Sequence, residues 1–386
     1  MRFDYYIPTK IIFGKGRLEE LATEKLPGKK ALIVITNGKS MKKFGYLERV
    51  EKYLAQNGAT SVLFDKILPN PTLAHVMEAA ELARNEGCDM VIGLGGGSAI
   101  DSAKSIALMV HNDGNYWEYV KGRKPEKKVL PVIAIPTTAG TGTESDPWTV
   151  ITNTGTNEKI GYGIPELFPV LSIVDAELML SVPSALTAYQ GMDAFFHSAE
   201  GYLAKVAQPA SDAFALDSIR RITKYLPVAV KDGSNMQARE ELAWASTQAG
   251  MVESTSCCIS EHSMEHALSA YYPALPHGAG LIALSVPYFS YMLKKGREVV
   301  AERYMDMARA MGEENVKAPE AFIEALKKLI KNIGMNELKL SEWGLKKEDD
   351  LKLAKNSFEA MGSLYALDPV ALNEEDARLI INEAIK

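Results

Sequence analysis

The stretch MVIGLGGGSAID, residues 90–101, decides the fold. Met90 to Leu94 is a continuous apolar run, the pattern of a strand buried on both faces of a parallel sheet. Gly95, Gly96 and Gly97 interrupt it, and a helical pattern begins near Ala99. Ser98, with Asp101 three residues later, has the spacing of a capping box. Strand, glycine turn and helix in that order let bare backbone N–H groups and a helix N-terminus face an anion. No Gly-Lys-Ser/Thr closes the loop, so it is not a P-loop. Ser98 stands where the last glycine of the dinucleotide fingerprint would fall. Phosphate binding is the expected role, and a tight βα turn without a ligand is the alternative.

Working outward, the same rhythm continues on both sides. ALIVI (31–35), SVLFD (61–65) and VIAIP (132–136) read as further strands, with helices over GYLERVEKYLAQNG and from Leu73 to Asn85. IIFGKGRLEE reads as strand, turn and helix start, and WTVI and LSIVD as additional strands. Alternating strands and helices imply a parallel sheet covered by helices. PTTAGTGTESD (136–146) follows the VIAIP strand and places Thr137, Thr138, Thr141 and Thr143 around Gly140 and Gly142. Small hydroxyls and bare backbone at a strand's carboxyl end suit a nucleotide, with a surface loop as the bland alternative.

After Pro183 the chain reads as helix upon helix. Ala215, Ile219, Ile222 and Leu226 recur at helical spacing, as do Phe322, Leu326, Leu329 and Ile333 before a stop at Gly334. The expected architecture is an α/β nucleotide-binding domain with a parallel sheet over residues 1–182. An all-α metal-binding and catalytic domain follows over 183–386, with a site in the cleft between the two.

Four of the six histidines lie from His197 to His277. Asp193-x3-His197 and His262-x3-His266 each put two side chains one turn apart on one helix face, and His277 sits in a Pro-His-Gly turn expected to hold it on a loop end. One carboxylate with several imidazoles suits iron or zinc and leaves room for a substrate oxygen. Any one of these histidines alone would more simply be a core residue. Spacing does not choose between His262 and His266 as ligand. Ser263 after His262 excludes the zincin motif.

Bulk properties narrow the classes. A net charge of −6 over 386 residues argues against nonspecific nucleic-acid binding and a membrane-surface role. Three cysteines, two of them adjacent, form no disulfide framework. MRFDYYIPTK lacks a signal-peptide pattern, and no apolar run is long enough to span a bilayer. A cytoplasmic protein is the expectation.

Together GGGSAIDSAK, PTTAGTGTE, GMDAFFHSAEGY and EHSMEH…LPHG resemble the iron-containing (group III) alcohol dehydrogenases, over nearly the whole chain. The resemblance implies a dehydroquinate synthase-like fold and hydride transfer between a nicotinamide and a short primary alcohol or diol and its aldehyde. It implies Fe2+ at Asp193, His197, His262 and His277, with Zn2+ as a substitute and the substrate oxygen activated by the metal. His266 then matches the histidine associated with proton transfer. Gly97 and Ser98 match pyrophosphate contacts, completed by Gly95 and Gly96, while Asn70, Thr137, Thr138, Thr141 and Lys159 match further cofactor positions. Asp101 is grouped with them. A homo-oligomer is expected on base rates.

The chain departs from the family in two places. The family often has an aspartate after the first strand of the cofactor domain; here the segment is ITNGKS. Without that carboxylate, Gly38, Lys39 and Ser40 can accept a 2′-phosphate, so NADP(H) is expected over NAD(H). Around the second helical motif stand Cys257, Cys258, Glu261 and Glu265 in place of the family's small residues, and the His262–His277 interval is one residue longer than usual. A zinc polyol dehydrogenase, a lyase of the same fold and a phosphate-binding metallohydrolase are the competing readings.

Overall fold

The structure is a computed structural model that describes residues 2–385. Its strands are β1 (Lys10–Phe13), β2 (Lys30–Thr36), β3 (Thr60–Ile67), β4 (Met90–Gly95), β5 (Val132–Pro136), β6 (Trp148–Asn153), β7 (Glu158–Gly163) and β8 (Leu171–Val174). Six form one sheet in the order β1-β8-β5-β4-β2-β3, with every neighbouring pair parallel. β6 was expected among the further strands, but it pairs with β7 in a separate two-stranded ladder. Nothing in the polar sequence of β7 announces a strand.

The central strands are apolar along their whole length because both faces are covered. Leu32, Val34 and Val91 face one core with the helices Leu73–Asn85 and Gly97–Met109. Ala31, Ile33, Met90 and Ile92 face the other, with the helix Tyr46–Gln56. From β2 the chain runs outward to β3, returns to the far side of β2 at β4, and continues to β5. The direction of winding therefore reverses between β2 and β4. In open parallel sheets, ligands bind outside the strand carboxyl ends at such a point.

The chain divides into two compact units. One holds Ile7–Thr156 and Ile160–Val182, and so contains the sheet. The other comprises the residues up to Tyr6, Asn157–Lys159 and the chain from Pro183 onward. Its helices include Ser184–Leu203, Pro209–Lys231, Met236–Thr255, Ser260–Tyr271 and His277–Ala310. Ala215, Ile219, Ile222 and Leu226 are fully buried, and Gly334 takes the left-handed conformation after the helix Glu320–Asn332. Phe195, Phe196, Phe289, Tyr304 and Phe322 form a buried aromatic cluster. Such a cluster gives the helix carrying Asp193 and His197 a rigid backing. Among the described residues no helix is long and apolar enough to cross a membrane.

Candidate metal centre and cofactor loops

In the sheet unit, the loops after β4 and β5 form one cradle. Gly95 has φ +153°, outside the range that side-chain-bearing residues adopt readily. A Cβ on Gly96 would fall 2.9 Å from Thr138 Oγ1, and one on Gly97 would fall 2.6 Å from Thr141 Cγ2. The glycines are required because threonines of the second loop fill the space their side chains would take. Thr137 is buried, and its amide bonds to Gly95 O, tying the loops together. The helix Gly97–Met109 starts with Gly96 as its N-cap and has no side-chain cap. That overturns the expected capping box. Ser98 Oγ instead donates to Pro69 O, and Asp101 turns inward, accepting from Thr143 Oγ1 at 2.7 Å and Val150 N at 2.9 Å. An uncapped helix start beside glycine backbone and hydroxyls has the character of an anion site.

The segment after β2 lies on the other side of the reversal. Gly38 and Lys39 are exposed, and Ser40 is half-buried at the first turn of the short helix Ser40–Lys43. Lys42 pairs with Asp65, the nearby carboxylate. Asn70 is half-buried in the loop after β3.

In the helical unit, Asp193 and His197 lie on Ser184–Leu203, His262 and His266 lie on Ser260–Tyr271, and His277 opens the helix His277–Ala310. The expected loop end is thus a helix N-terminus, reached through Pro276 as N-cap. The Nε2 atoms of His197, His262 and His277 lie 3.4, 3.6 and 3.5 Å from Asp193 Oδ1. These separations exceed good hydrogen bonds. With metal–ligand bonds of about 2.0–2.2 Å, tetrahedrally placed ligand atoms lie roughly 3.3–3.6 Å apart. Asp193 Oδ1 and His262 Nε2 are buried with no hydrogen-bond partner. Buried polar atoms rarely go unsatisfied, so four converging donors and two orphaned atoms fit a divalent cation. The geometry also separates the two candidates on the Ser260–Tyr271 helix. His262 joins Asp193, His197 and His277, whereas His266, its ring 5.5 Å from that of His277 and its Nδ1 2.8 Å from Met361 Sδ, falls outside that set and groups instead with Glu265 and His277.

Electrostatics follow from burial and these neighbours. Burial opposes the Asp193 charge, but the imidazoles outweigh it and hold its carboxyl below the ordinary range. Burial, with the Lys159 ammonium and His277 acting in the same direction, pushes His266 well below the usual imidazole range. Burial pushes the Cys257 thiol up to about 12 and Cys258 well above its usual value, which favours the protonated thiols.

Lys159, expected as a cofactor residue, belongs to the helical unit. Its Nζ donates to Ser269 Oγ at 2.8 Å and lies 3.5 Å from Glu265 Oε2 and 3.4 Å from His277 Nδ1. Sequence reasoning missed the carboxylates behind the histidines. Glu200 meets His262 Nδ1, Glu265 meets His277 Nδ1, and Glu253 Oε2 lies 3.0 Å from His197 Nδ1. Glu265 stood out as a departure from the family pattern, but nothing in the sequence marked Glu253.

Comparison with known proteins gives a consistent result. Residues 8–176 match the model of the family described as iron-containing alcohol dehydrogenase, and residues 187–385 match that of the family's C-terminal domain. The chain is 34% identical to the NAD-dependent methanol dehydrogenase of Bacillus methanolicus, covering 99% of this chain and 100% of that one. It is 33% identical to the 1,3-propanediol dehydrogenase of Klebsiella pneumoniae, over 99% of this chain and 98% of that one. Among solved structures, an archaeal halo-thermophilic alcohol dehydrogenase from a Red Sea brine pool superposes with a TM-score of 0.95 at 36% identity, covering 100% of this chain and 99% of that one.

Proposed function

The chain belongs to the iron-containing alcohol dehydrogenase family, and from that premise we propose that it interconverts short primary alcohols or diols and their aldehydes, using Fe2+ and preferentially NADP(H). The observation that carries the proposal is the convergence of three imidazole Nε2 atoms on the orphaned Asp193 Oδ1. When bound, the metal supplies Lewis acidity to an alcohol or carbonyl oxygen, and the nicotinamide supplies or accepts the hydride.

This chain's residues do the rest. Asp193, His197, His262 and His277 hold the metal. Gly95, Gly96, Gly97, Ser98, Thr138 and Thr141 hold the pyrophosphate against an uncapped helix start. His266, on the same helix as His262, is the proposed proton-transfer residue; burial keeps its imidazole neutral, so a proton it takes up is readily passed on. Asn70, Thr137 and Lys159 complete the cofactor contacts, while Asp101 supports the cradle from inside through Thr143 and Val150.

The NADP(H) preference rests on the exposed Gly38-Lys39 segment and on the absence of a carboxylate there. The methanol dehydrogenase relative is NAD-dependent, which points the other way. Comparing kcat/KM for NADPH and NADH across butyraldehyde, propionaldehyde and 3-hydroxypropionaldehyde decides the matter. A higher value with NADPH is expected, and a higher value with NADH overturns the preference. Absence of turnover with every aldehyde and both cofactors overturns the dehydrogenase reading.

The protein works with small molecules, and we propose that it is a cytoplasmic homo-oligomer. Size-exclusion chromatography with light scattering tests the assembly, and a single-chain mass would refute it.

A further inference from the structure

Each of the three imidazoles at the candidate metal centre has a second nitrogen, and each of these faces a different glutamate. His262 Nδ1 contacts Glu200, one turn beyond His197 on the helix Ser184–Leu203. His277 Nδ1 contacts Glu265, on the helix Ser260–Tyr271. His197 Nδ1 lies 3.0 Å from Glu253 Oε2, on the helix Met236–Thr255. The approach of Glu253 is oblique, so it acts more as a charge partner than as an aligned acceptor. Glu200 and Glu265 are fully buried.

We infer that Glu200, Glu253 and Glu265 are positioning residues, one for each histidine ligand, that turn each Nε2 lone pair toward Asp193 and tighten the hold on a divalent cation. The inference rests on the metal reading above. The physical basis is general. A neutral imidazole has one N–H and one lone pair, and a carboxylate at Nδ1 draws the N–H to that side. The lone pair is then fixed on Nε2, the ring loses rotational freedom, and its basicity toward a metal rises. The charges around the site reinforce this. Asp193 and the three glutamates face one ammonium, Lys159, which itself sits beside Glu265 and His277. A bound cation would add to the positive charge facing these carboxylates.

The three glutamates are not equivalent. Glu200 Oε2 also accepts from Ile259 N at 2.7 Å and so anchors the turn before the His262 helix. Its removal disturbs the backbone as well as the imidazole. Glu265 Oε2 also faces Lys159 Nζ and Ser269 Oγ, whereas the Glu253 side chain retains some exposure, so Glu253 reports most directly on orientation.

The test uses the full chain stripped of metal, with Zn2+ affinity measured by competition against a fluorescent chelator. Co2+-loaded protein supplies a visible spectrum as a second readout. Wild type is expected to bind one ion per chain. E253Q and E265Q are each expected to weaken Zn2+ binding by about 10–100-fold and to shift the Co2+ bands. E253A is expected to weaken it about as much as E253Q, because both remove the charge that faces Nδ1. If E265Q does not fold, E253Q and E253A carry the test. Variants within twofold of wild type, with unchanged Co2+ spectra, overturn the inference alone. A wild-type protein that takes up no metal overturns the metal reading and the inference with it. Two ions per chain, with the second lost in E253Q, would make Glu253 a ligand together with Cys258 and His197, and so would also overturn its positioning role.

Discussion

The glycine–threonine cradle and the histidine cluster solve opposite problems. The cradle is made from backbone and from side chains that are absent: Gly96 and Gly97 have no Cβ because Thr138 and Thr141 fill that space. Amide groups and a helix start supply the polarity of its open face, while buried Asp101 and Lys104 brace the second loop from behind. The cluster is made from titratable side chains buried in a helical unit, and each must be oriented by another side chain. The cradle is shaped by backbone packed against one neighbouring loop, whereas the cluster is shaped by side chains on separate helices. The first therefore tolerates loss of any single hydroxyl but not an added methyl. The second tolerates little loss of charge.

The largest effect breaks the cluster alone. Asp193→Ala removes the oxygen on which three imidazoles converge. Metal content should fall to background and aldehyde reduction should drop by more than the ~100-fold typical of losing an orienting partner. NADPH binding, followed by its fluorescence, should stay within a few-fold of wild type. A full metal complement in this variant would show that the four groups are not a ligand set.

Breaking the cradle should do the reverse. Gly97→Val pushes a branched side chain into Thr141, and overpacking of that kind costs about 1–3 kcal/mol. The KM for cofactor should rise roughly 5–150-fold while metal content is unchanged, and adding Thr141→Ser should restore part of the loss. Unchanged cofactor KM would detach the glycine loop from the cofactor.

A smaller effect sharpens the cofactor side. Asn37→Asp places a carboxylate at the end of β2, where it opposes a 2′-phosphate and favours a ribose hydroxyl. The NADPH/NADH ratio of kcat/KM should fall about tenfold, one such charge being worth on the order of 1.4 kcal/mol. No change would mean that the segment does not read the ribose.

The smallest effect concerns the outer face of the helical unit. Burial opposes the Asp217 charge, but Arg221, Arg220 and Gln248 outweigh it and bring its carboxyl down to about 2. A depressed folded-state value means the contribution is complete above the unfolded value near 4 and is lost as pH falls through about 2. With the side chain partly exposed, solvent screening limits this to roughly 1 kcal/mol. Asp217→Asn should therefore lower the melting temperature slightly at pH 7 and approach wild type near pH 2.

The contrast also explains what could be read in advance. The strands at ALIVI, MVIGL and VIAIP were legible because apolar runs between turn residues leave few alternatives. The glycine loop was legible because its conformation is local. The expected Ser98–Asp101 capping box failed because Asp101 found tertiary partners, Thr143 and Val150, more than forty residues away. β7 was invisible because its pairing with β6, not its sequence, makes it a strand. The Asp193–His197 and His262–His266 pairs were legible as helix-spaced motifs, but the choice of His262 needed three helices to be brought together. The three glutamates behind the candidate ligands were hidden for the same reason, with Glu253 lying 56 residues from the histidine it faces.

The most direct test of the central claim is anaerobic reduction of butyraldehyde by chelator-stripped protein, followed through absorbance of the reduced cofactor after reloading with Fe2+, with Zn2+ or with nothing. Oxidation of NADPH that is restored by Fe2+, weaker with Zn2+ and absent without metal is the predicted result. Equal rates in stripped and reloaded protein, with metal content verified in each, would contradict it.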